Sequence, residues 1–274
     1  MTDLFLAPFQ YEYMQRAFLA ALVVGTLCST IGTYVVLRKL AFIGDGIAHA
    51  SFAGIVVAYL RGIDYYVGAA VVAVVTALGI GYVNRRGKVS LDTAIGVLFT
   101  GAFAFGVFLM SRLPSYAVDL QGFLFGNILA ISPGDITLVL TLSAIVAVSL
   151  ALLYRQLLYT SFDPVVAQAS GINAGFVEYA LLVLLALTII VSLEAVGIVL
   201  VAALLVTPAA TAYQLTRSFT RMLALSAAIG ALCAVGGLYL SYYLHAASGA
   251  TIVLLVTLAF FMAMLSKRRW RSAP

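Results

Sequence analysis

The sequence predicts an all-α bundle of about eight or nine membrane-spanning helices, held in a single domain over residues 1–274. Three observations carry that prediction. The first is composition: 64% of the 274 residues are hydrophobic and 9% are charged, and the mean hydropathy is +1.13. A water-soluble domain carries roughly a quarter charged residues, so a chain this apolar cannot cover a water-facing surface. In lipid every backbone N–H and C=O needs an internal partner, which selects helices of about 20 residues. The second is run length. Polar breaks leave nine apolar runs at about residues 15–37, 42–60, 65–83, 91–110, 133–154, 176–193, 195–214, 220–243 and 249–266. Each is long enough to span.

The third observation is where the cations fall. If the runs alternate in direction, Arg38, Lys39, Arg85, Arg86, Lys88, Arg155, Arg217, Arg221, Lys267, Arg268, Arg269 and Arg271 share one side. Only Arg16, Arg61 and Arg112 take the other. The crowded side is the cytoplasmic one, which puts the N-terminus outside and the KRRWR tail inside. A missed span would scramble this parity, so the asymmetry also supports the count. The net charge of +5 is thereby accounted for by topology. It gives no reason to expect nucleic acid as a partner, because the cations sit at span ends rather than on a face with interleaved aromatics.

Taken in order, the N-terminal MTDLFLAPFQYEYMQR lacks the basic region of a cleavable signal. Residues 1–14, rich in Phe and Tyr, read as a segment lying in the headgroup layer. Cys28 and Cys233 fall inside apolar runs and read as packing residues, with neither a disulfide nor a CxxC metal motif. GYVNRRGKV has the glycines and lysine of a phosphate loop, but its spacing is one residue too long and Val89 stands where Ser or Thr would meet magnesium. ATP is not bound there. Residues 111–132 are amphipathic and broken by Pro114 and Gly122, and read as a non-spanning or re-entrant piece. The longest interior cytoplasmic loop is 155–175, where Asp163 and Pro164 begin a short helix, Ala167 and Ala169 keep it small, and Gly171 ends it. Pro208, deep in the seventh run, should kink or interrupt its helix.

Carboxylates are scarce, so their positions are informative. Asp3, Glu12, Asp64, Asp119, Asp135 and Asp163 fall in loops, and Asp92 sits beside Ser90 as part of a helix cap. Asp45 and His49 differ. They occur as D-x-x-x-H in FIGDGIAHASFAG at the start of the second run, one helical turn apart on one face. A carboxylate oxygen and an imidazole nitrogen so placed suit a divalent transition metal, and the small residues around them let another helix or a substrate approach. The binding forms are the ionised carboxylate and the neutral imidazole, so binding weakens in mild acid. The bland alternative is an Asp–His hydrogen bond that fixes helix packing. Glu194, where the sixth run hands over to the seventh, is either a turn carboxylate or a third acidic ligand or gate along the same path. His245 reads as part of a solvated turn near the outer end of the eighth run.

Five segments, in this order, resemble the membrane subunit of the ATP-binding-cassette importers for manganese, zinc or iron(II), the ABC-3 family. They are MQRAFLAALVVGTLCSTIGTYVVLRKLAFIGDGIAHASFAG, SLDTAIGVLFTGAFAFGV, DLQGFLFGNILAIS, FDPVVAQASGINAG and SLEAVGIVLVAALLVTPAATA, and the resemblance they carry extends over nearly the whole chain. The GD-x-x-x-HA and VTPAATA stretches are the most specific. The resemblance implies a helical fold similar to the vitamin B12-type importer permeases. It implies a homodimer or pseudo-dimer of permeases lining one path in a bacterial or archaeal inner membrane, two cytoplasmic ATPase subunits, and an extracytoplasmic metal-binding protein. It makes Asp45 and His49, with Glu194 less directly, metal-contacting positions, and the divalent metal a transported substrate rather than a prosthetic cofactor. It makes the 163–171 segment, with Asp163, Pro164, Ala167 and Gly171, a helix that couples to the ATPase, so that hydrolysis belongs to a partner and this chain is not itself an enzyme. The LFGNILAIS and FDP segments are closest to manganese-type members. Where an acidic residue is typical of the family, this chain has His245. The competing class is a self-sufficient secondary carrier or channel in which Asp45 and His49 relay protons or cations; it needs no ATPase dock, so the 163–171 segment separates the two. An intramembrane hydrolase is disfavoured, since the sequence offers no nucleophile–base pair and no HExxH.

Overall fold

The computed structural model describes residues 7–87, 89–112, 126 and 128–271. Its helices are α1 (Glu12–Leu37), α2 (Ile43–Arg61), α3 (Tyr65–Gly87), α4 (Leu91–Met110), α5 (Pro133–Leu152), α6 (Tyr154–Phe162), α7 (Pro164–Ala169), α8 (Ala174–Val196), α9 (Ile198–Leu215), α10 (Phe219–Leu244) and α11 (Ser248–Arg271). No strand occurs among the described residues. Nine of these helices, all but α6 and α7, are long and apolar enough to cross a membrane, and they correspond one to one with the nine apolar runs. Most of the 111–132 segment, residues 113–125 and 127, lies outside the described residues; the described part includes a 3-10 turn at Ile128–Ala130.

The described chain falls into two compact units, and neither is a continuous piece of sequence. One comprises Met1–Val36, Gln121–Ala144 and Val191–Pro274, the other Leu37–Leu120 and Ile145–Ile190.

In the first unit α1 meets α9 and α10 through small residues. A Cβ added to Gly25 would lie 2.8 Å from both the Ala234 Cβ and the Gly230 carbonyl oxygen, and one on Gly32 would run into the Leu205 carbonyl oxygen. Where lipid gives no hydrophobic drive for helices to pair, such close backbone approach supplies the dispersion contacts that hold them. The approach also resolves the problem posed by Pro208. Proline has no N–H, so the Leu204 carbonyl one turn earlier loses its helical donor. The Ser29 hydroxyl of α1 donates to that carbonyl instead, at 3.1 Å, and the Ser226 hydroxyl of α10 donates to the Ser29 carbonyl at 2.6 Å. Helix α9 therefore runs unbroken through Pro208, rather than being interrupted there. Cys28 and Cys233 are free and buried, and the Cys28 thiol shares a 3.1 Å hydrogen bond with the Ser192 hydroxyl.

In the second unit α2 packs closely on α3 and α4. Gly54 and Gly68 face each other so tightly that a Cβ on either would meet the other's carbonyl oxygen, while a Cβ on Gly106 of α4 would lie 2.9 Å from the Ala53 Cα. The Gly- and Ala-rich sequence of α2 is thus explained by contact on two sides. At the far end of α3, Arg85 pairs with Glu178 of α8 at 2.8 Å and its guanidinium lies over the Tyr179 ring.

Candidate metal site

The turn that delivers α2 is short and hydrogen-bonded. Lys39 takes a left-handed conformation at φ 58°, the Ile43 N–H donates to the Leu40 carbonyl at 3.0 Å, and the Gly46 N–H donates to the Phe42 carbonyl at 2.9 Å. Leu40 and Ile43 are buried, which anchors the turn from both sides. Asp45 then falls in the first turn of α2, where the exposed N–H ends of a helix favour a carboxylate. Its side chain is exposed, and among the described residues no side chain pairs with it.

His49 lies one turn on and is half-buried. Its Nδ1 is 2.9 Å from the backbone carbonyl oxygen of Asp45. A carbonyl only accepts, so Nδ1 carries the proton and donates, and in the neutral ring Nε2 keeps its lone pair. Such a bond is how metal-ligating histidines have their tautomer fixed. The ring meets Phe99 and Phe103 of α4 edge-on, at centroid distances of 5.7 and 5.8 Å, and Phe103 in turn packs at a tilt against Phe52 at 5.5 Å. The imidazole thus bonds to the main chain and not to the Asp45 carboxylate, so the hydrogen bond on which the packing alternative depends is not formed. Among the described residues no cluster of three or more His, Cys, Asp or Glu side chains is assembled; α2 offers two.

Glu194 lies in the last turn of α8, which continues to Val196, and α9 begins at Ile198, so it falls at the handover from the sixth apolar run to the seventh, as the sequence expects. The helix ends where Gly197, at φ 79°, takes a conformation that a residue with a Cβ adopts at a cost. The Glu194 side chain lies outside what the structure describes. His245 is an exposed left-handed cap of α10 at φ 51°, and Ser90 caps α4 by accepting from the Thr93 N–H at 3.2 Å.

In the 163–171 segment, α7 starts as its sequence demands. The Asp163 carboxylate accepts from the Val165 and Val166 N–H groups at 2.9 and 3.0 Å with Pro164 at the first helical position. Gly171 follows the helix at φ 84°. Ala167 points inward at 2% exposure, while Val165 and Val166 stand out at 74% and 57%. Sequence reading missed two things here: helix α6, and the two valines as the outward face of α7. The signal for the valines was available, since two apolar residues directly after a Pro at the first helical position precede the inward Ala167 in a helix of about one and a half turns. Helix α6 was hidden because its mixed polarity resembles a loop.

The family model for the ABC 3 transport family matches residues 10–267. The chain is 42% identical over 256 residues to the manganese transport system membrane protein MntC of Listeria monocytogenes serovar 1/2a, covering 93% of this chain and 91% of that one. It is 37% identical over 258 residues to the chelated iron transport system membrane protein YfeD of Yersinia pestis, covering 94% and 86%. Among solved structures it resembles PsaBC from Streptococcus pneumoniae in complex with Fab, with a TM-score of 0.84 and 34% identity, covering 96% of this chain and 95% of that chain.

Proposed function

The chain belongs to the ABC 3 transport family, and from that premise we propose that it is the membrane permease subunit of an ATP-driven importer of a divalent transition metal. Manganese is the favoured substrate, in line with the relative from Listeria; iron(II) and zinc satisfy the same carboxylate and imidazole chemistry. The chain works as one permease domain: each compact unit is built from separated stretches, so no cut divides them. It lies in the cell membrane with the N-terminus outside and the C-terminal tail in the cytoplasm, as the arginine and lysine asymmetry requires.

The observation that carries this reading is the chemistry of α2: a carboxylate without a partner among the described residues, and one turn away a histidine whose Nδ1 is engaged so that Nε2 is the ligand atom. Two such side chains do not complete a coordination sphere. The further donors are either the same two side chains of a second copy of the chain, or Glu194 and water. Leaving exchangeable positions suits a site that must release what it captures. On the cytoplasmic side, the outward valines of α7 form a short apolar knob of the kind that seats in a cleft of an ATPase subunit. A self-sufficient carrier has no use for it. An extracytoplasmic metal-binding protein delivers the ion to the opposite face.

The test is manganese uptake by the complete transporter in proteoliposomes. Asp45→Asn keeps size and hydrogen bonding but removes the charge; His49→Ala removes the nitrogen. Each should abolish uptake without lowering the amount of ATPase that copurifies, and Glu194→Gln should have the milder effect. Normal uptake with both the Asp45 and His49 variants would make the pair structural.

A further inference from the structure

Metal passage has to respond to events at α7, yet α7 and the Asp45–His49 pair sit on separate helices. One side chain bridges the interval. Arg38, half-buried in the turn between α1 and α2, donates from Nη2 to the Thr160 hydroxyl at 2.7 Å and from Nε to the Ser161 hydroxyl at 3.1 Å. Both hydroxyls belong to the last turn of α6, whose end is joined to α7 by Asp163 alone.

We infer that Arg38 is a positioning residue that ties the α6–α7 cytoplasmic segment to the turn delivering Asp45, so that movement of one is felt at the other. This rests on the reading of α7 as the ATPase dock. The polarity of the bonds admits only a donor in this place. The Thr160 hydroxyl gives its own proton to the Gln156 carbonyl at 2.7 Å, and the Ser161 hydroxyl gives its proton to the Leu157 carbonyl at 2.6 Å. Only lone pairs remain to face Arg38. Two neighbouring acceptors match the planar fork of a guanidinium, which presents donors at a fixed separation, whereas an ammonium is a single point. The cation also sits at the carbonyl end of α6, where a helix favours positive charge. On the other side, Arg38 is joined to Asp45 by residues 39–44 alone, and these are pinned by the left-handed Lys39 and by buried Leu40 and Ile43. Leu157, fully buried on the same face of α6 as Thr160, stops that helix from swinging free of the bond. A displacement at α7 therefore reaches the start of α2 through one fork and a short braced turn.

The test uses the full transporter in proteoliposomes with the ATPase, the binding protein and manganese(II). Uptake per ATP hydrolysed, ATPase copurification and thermal unfolding are measured together. The variants are Arg38→Gln, Arg38→Lys, Thr160→Val with Ser161→Ala, and Arg38→Gln combined with the last two. Losing two hydrogen bonds to a charged group should lower uptake per ATP by about tenfold in Arg38→Gln. The paired hydroxyl variant should lose a similar factor, the combined variant no more than either, and Arg38→Lys less. Copurification and unfolding should stay as in the parent, a combination that a merely structural role does not give. A parental uptake ratio in Arg38→Gln, multiplying losses in the combined variant, or loss of the ATPase from Arg38→Gln would each overturn the inference. Val165→Asp, run alongside, examines the docking reading by itself: retention of the ATPase in that variant defeats the dock, whatever Arg38 does.

Discussion

Pro208 interrupts the hydrogen-bond ladder of α9, and the structure makes Ser29 the group that repairs it. Replacing Ser29 with Ala removes the donor that α1 gives to the Leu204 carbonyl, on a residue 1% exposed, and Pro208 has no N–H to take its place. An unsatisfied buried carbonyl costs about 1–3 kcal/mol in water-soluble proteins. Hydrogen bonds between membrane helices average about 0.6 kcal/mol and reach about 1.7. Since Pro208 leaves no local alternative, Ser29→Ala should fall in the upper part of that membrane range, about 1–1.5 kcal/mol. In a Pro208→Ala background the new residue supplies a backbone N–H to Leu204, so the same Ser29→Ala change should cost about 0.5 kcal/mol or less. The coupling between the two sites is then roughly 0.5–1 kcal/mol. Helical circular dichroism during unfolding of the detergent-solubilised chain with SDS, on the parent, both single variants and the double, measures it. Equal costs of Ser29→Ala in the two backgrounds, within a few tenths of a kcal/mol, would refute the repair.

Two further predictions concern topology and docking. Single cysteines at positions 86, 170 and 266, introduced after both native cysteines are replaced, should react with a membrane-impermeant maleimide only from the cytoplasmic side. Labelling of position 170 from outside would undo both the parity argument and the placing of α7. Ala167, packed inward at 2% exposure, should not accept a tryptophan without displacing α7. Ala167→Trp or Gly171→Trp should reduce copurified ATPase and ATP-dependent uptake at least fivefold, an effect of about 1 kcal/mol, while leaving the permease in the membrane. Unchanged uptake would favour the carrier class.

The spans were legible because their physics is one-dimensional. A helix in lipid needs length and apolarity, both present in the local sequence, and the boundaries of α2, α3 and α4 at Ile43, Tyr65 and Leu91 lie within a residue of where the apolar runs begin. Caps were legible for the same reason: Ser90 and Asp163 each act within three residues of themselves. What the sequence hid is non-local. Ser29 and Leu204 meet across 175 positions, and nothing near either residue marks the other. Arg38 was counted as a topology charge, which accounts for its sign but not for a fork that fits two hydroxyls more than 120 positions away. The exact end of α8 was hidden for a third reason: the run of apolar residues continues past Glu194, and only Gly197, at φ 79°, shows where the helix stops.

The candidate site has the same division. The D-x-x-x-H spacing gives the shared face of Asp45 and His49, but not which imidazole nitrogen is presented. That follows from the Nδ1 bond to the Asp45 carbonyl, a contact that helical geometry offers to any histidine four residues on and that the Phe99 and Phe103 rings hold in place. The bond has a consequence for the proposed transport site. Because the histidine is oriented by the backbone of its own helix, its Nε2 stays presented, while the Asp45 carboxylate, exposed and with no side-chain partner among the described residues, is free to turn. A site in which one ligand is fixed and the other mobile captures an ion with little reorganisation of the protein, and a shift at the start of α2 moves the mobile ligand first. In the proposed site Asp45, at the end of the turn that begins with Arg38, takes that part.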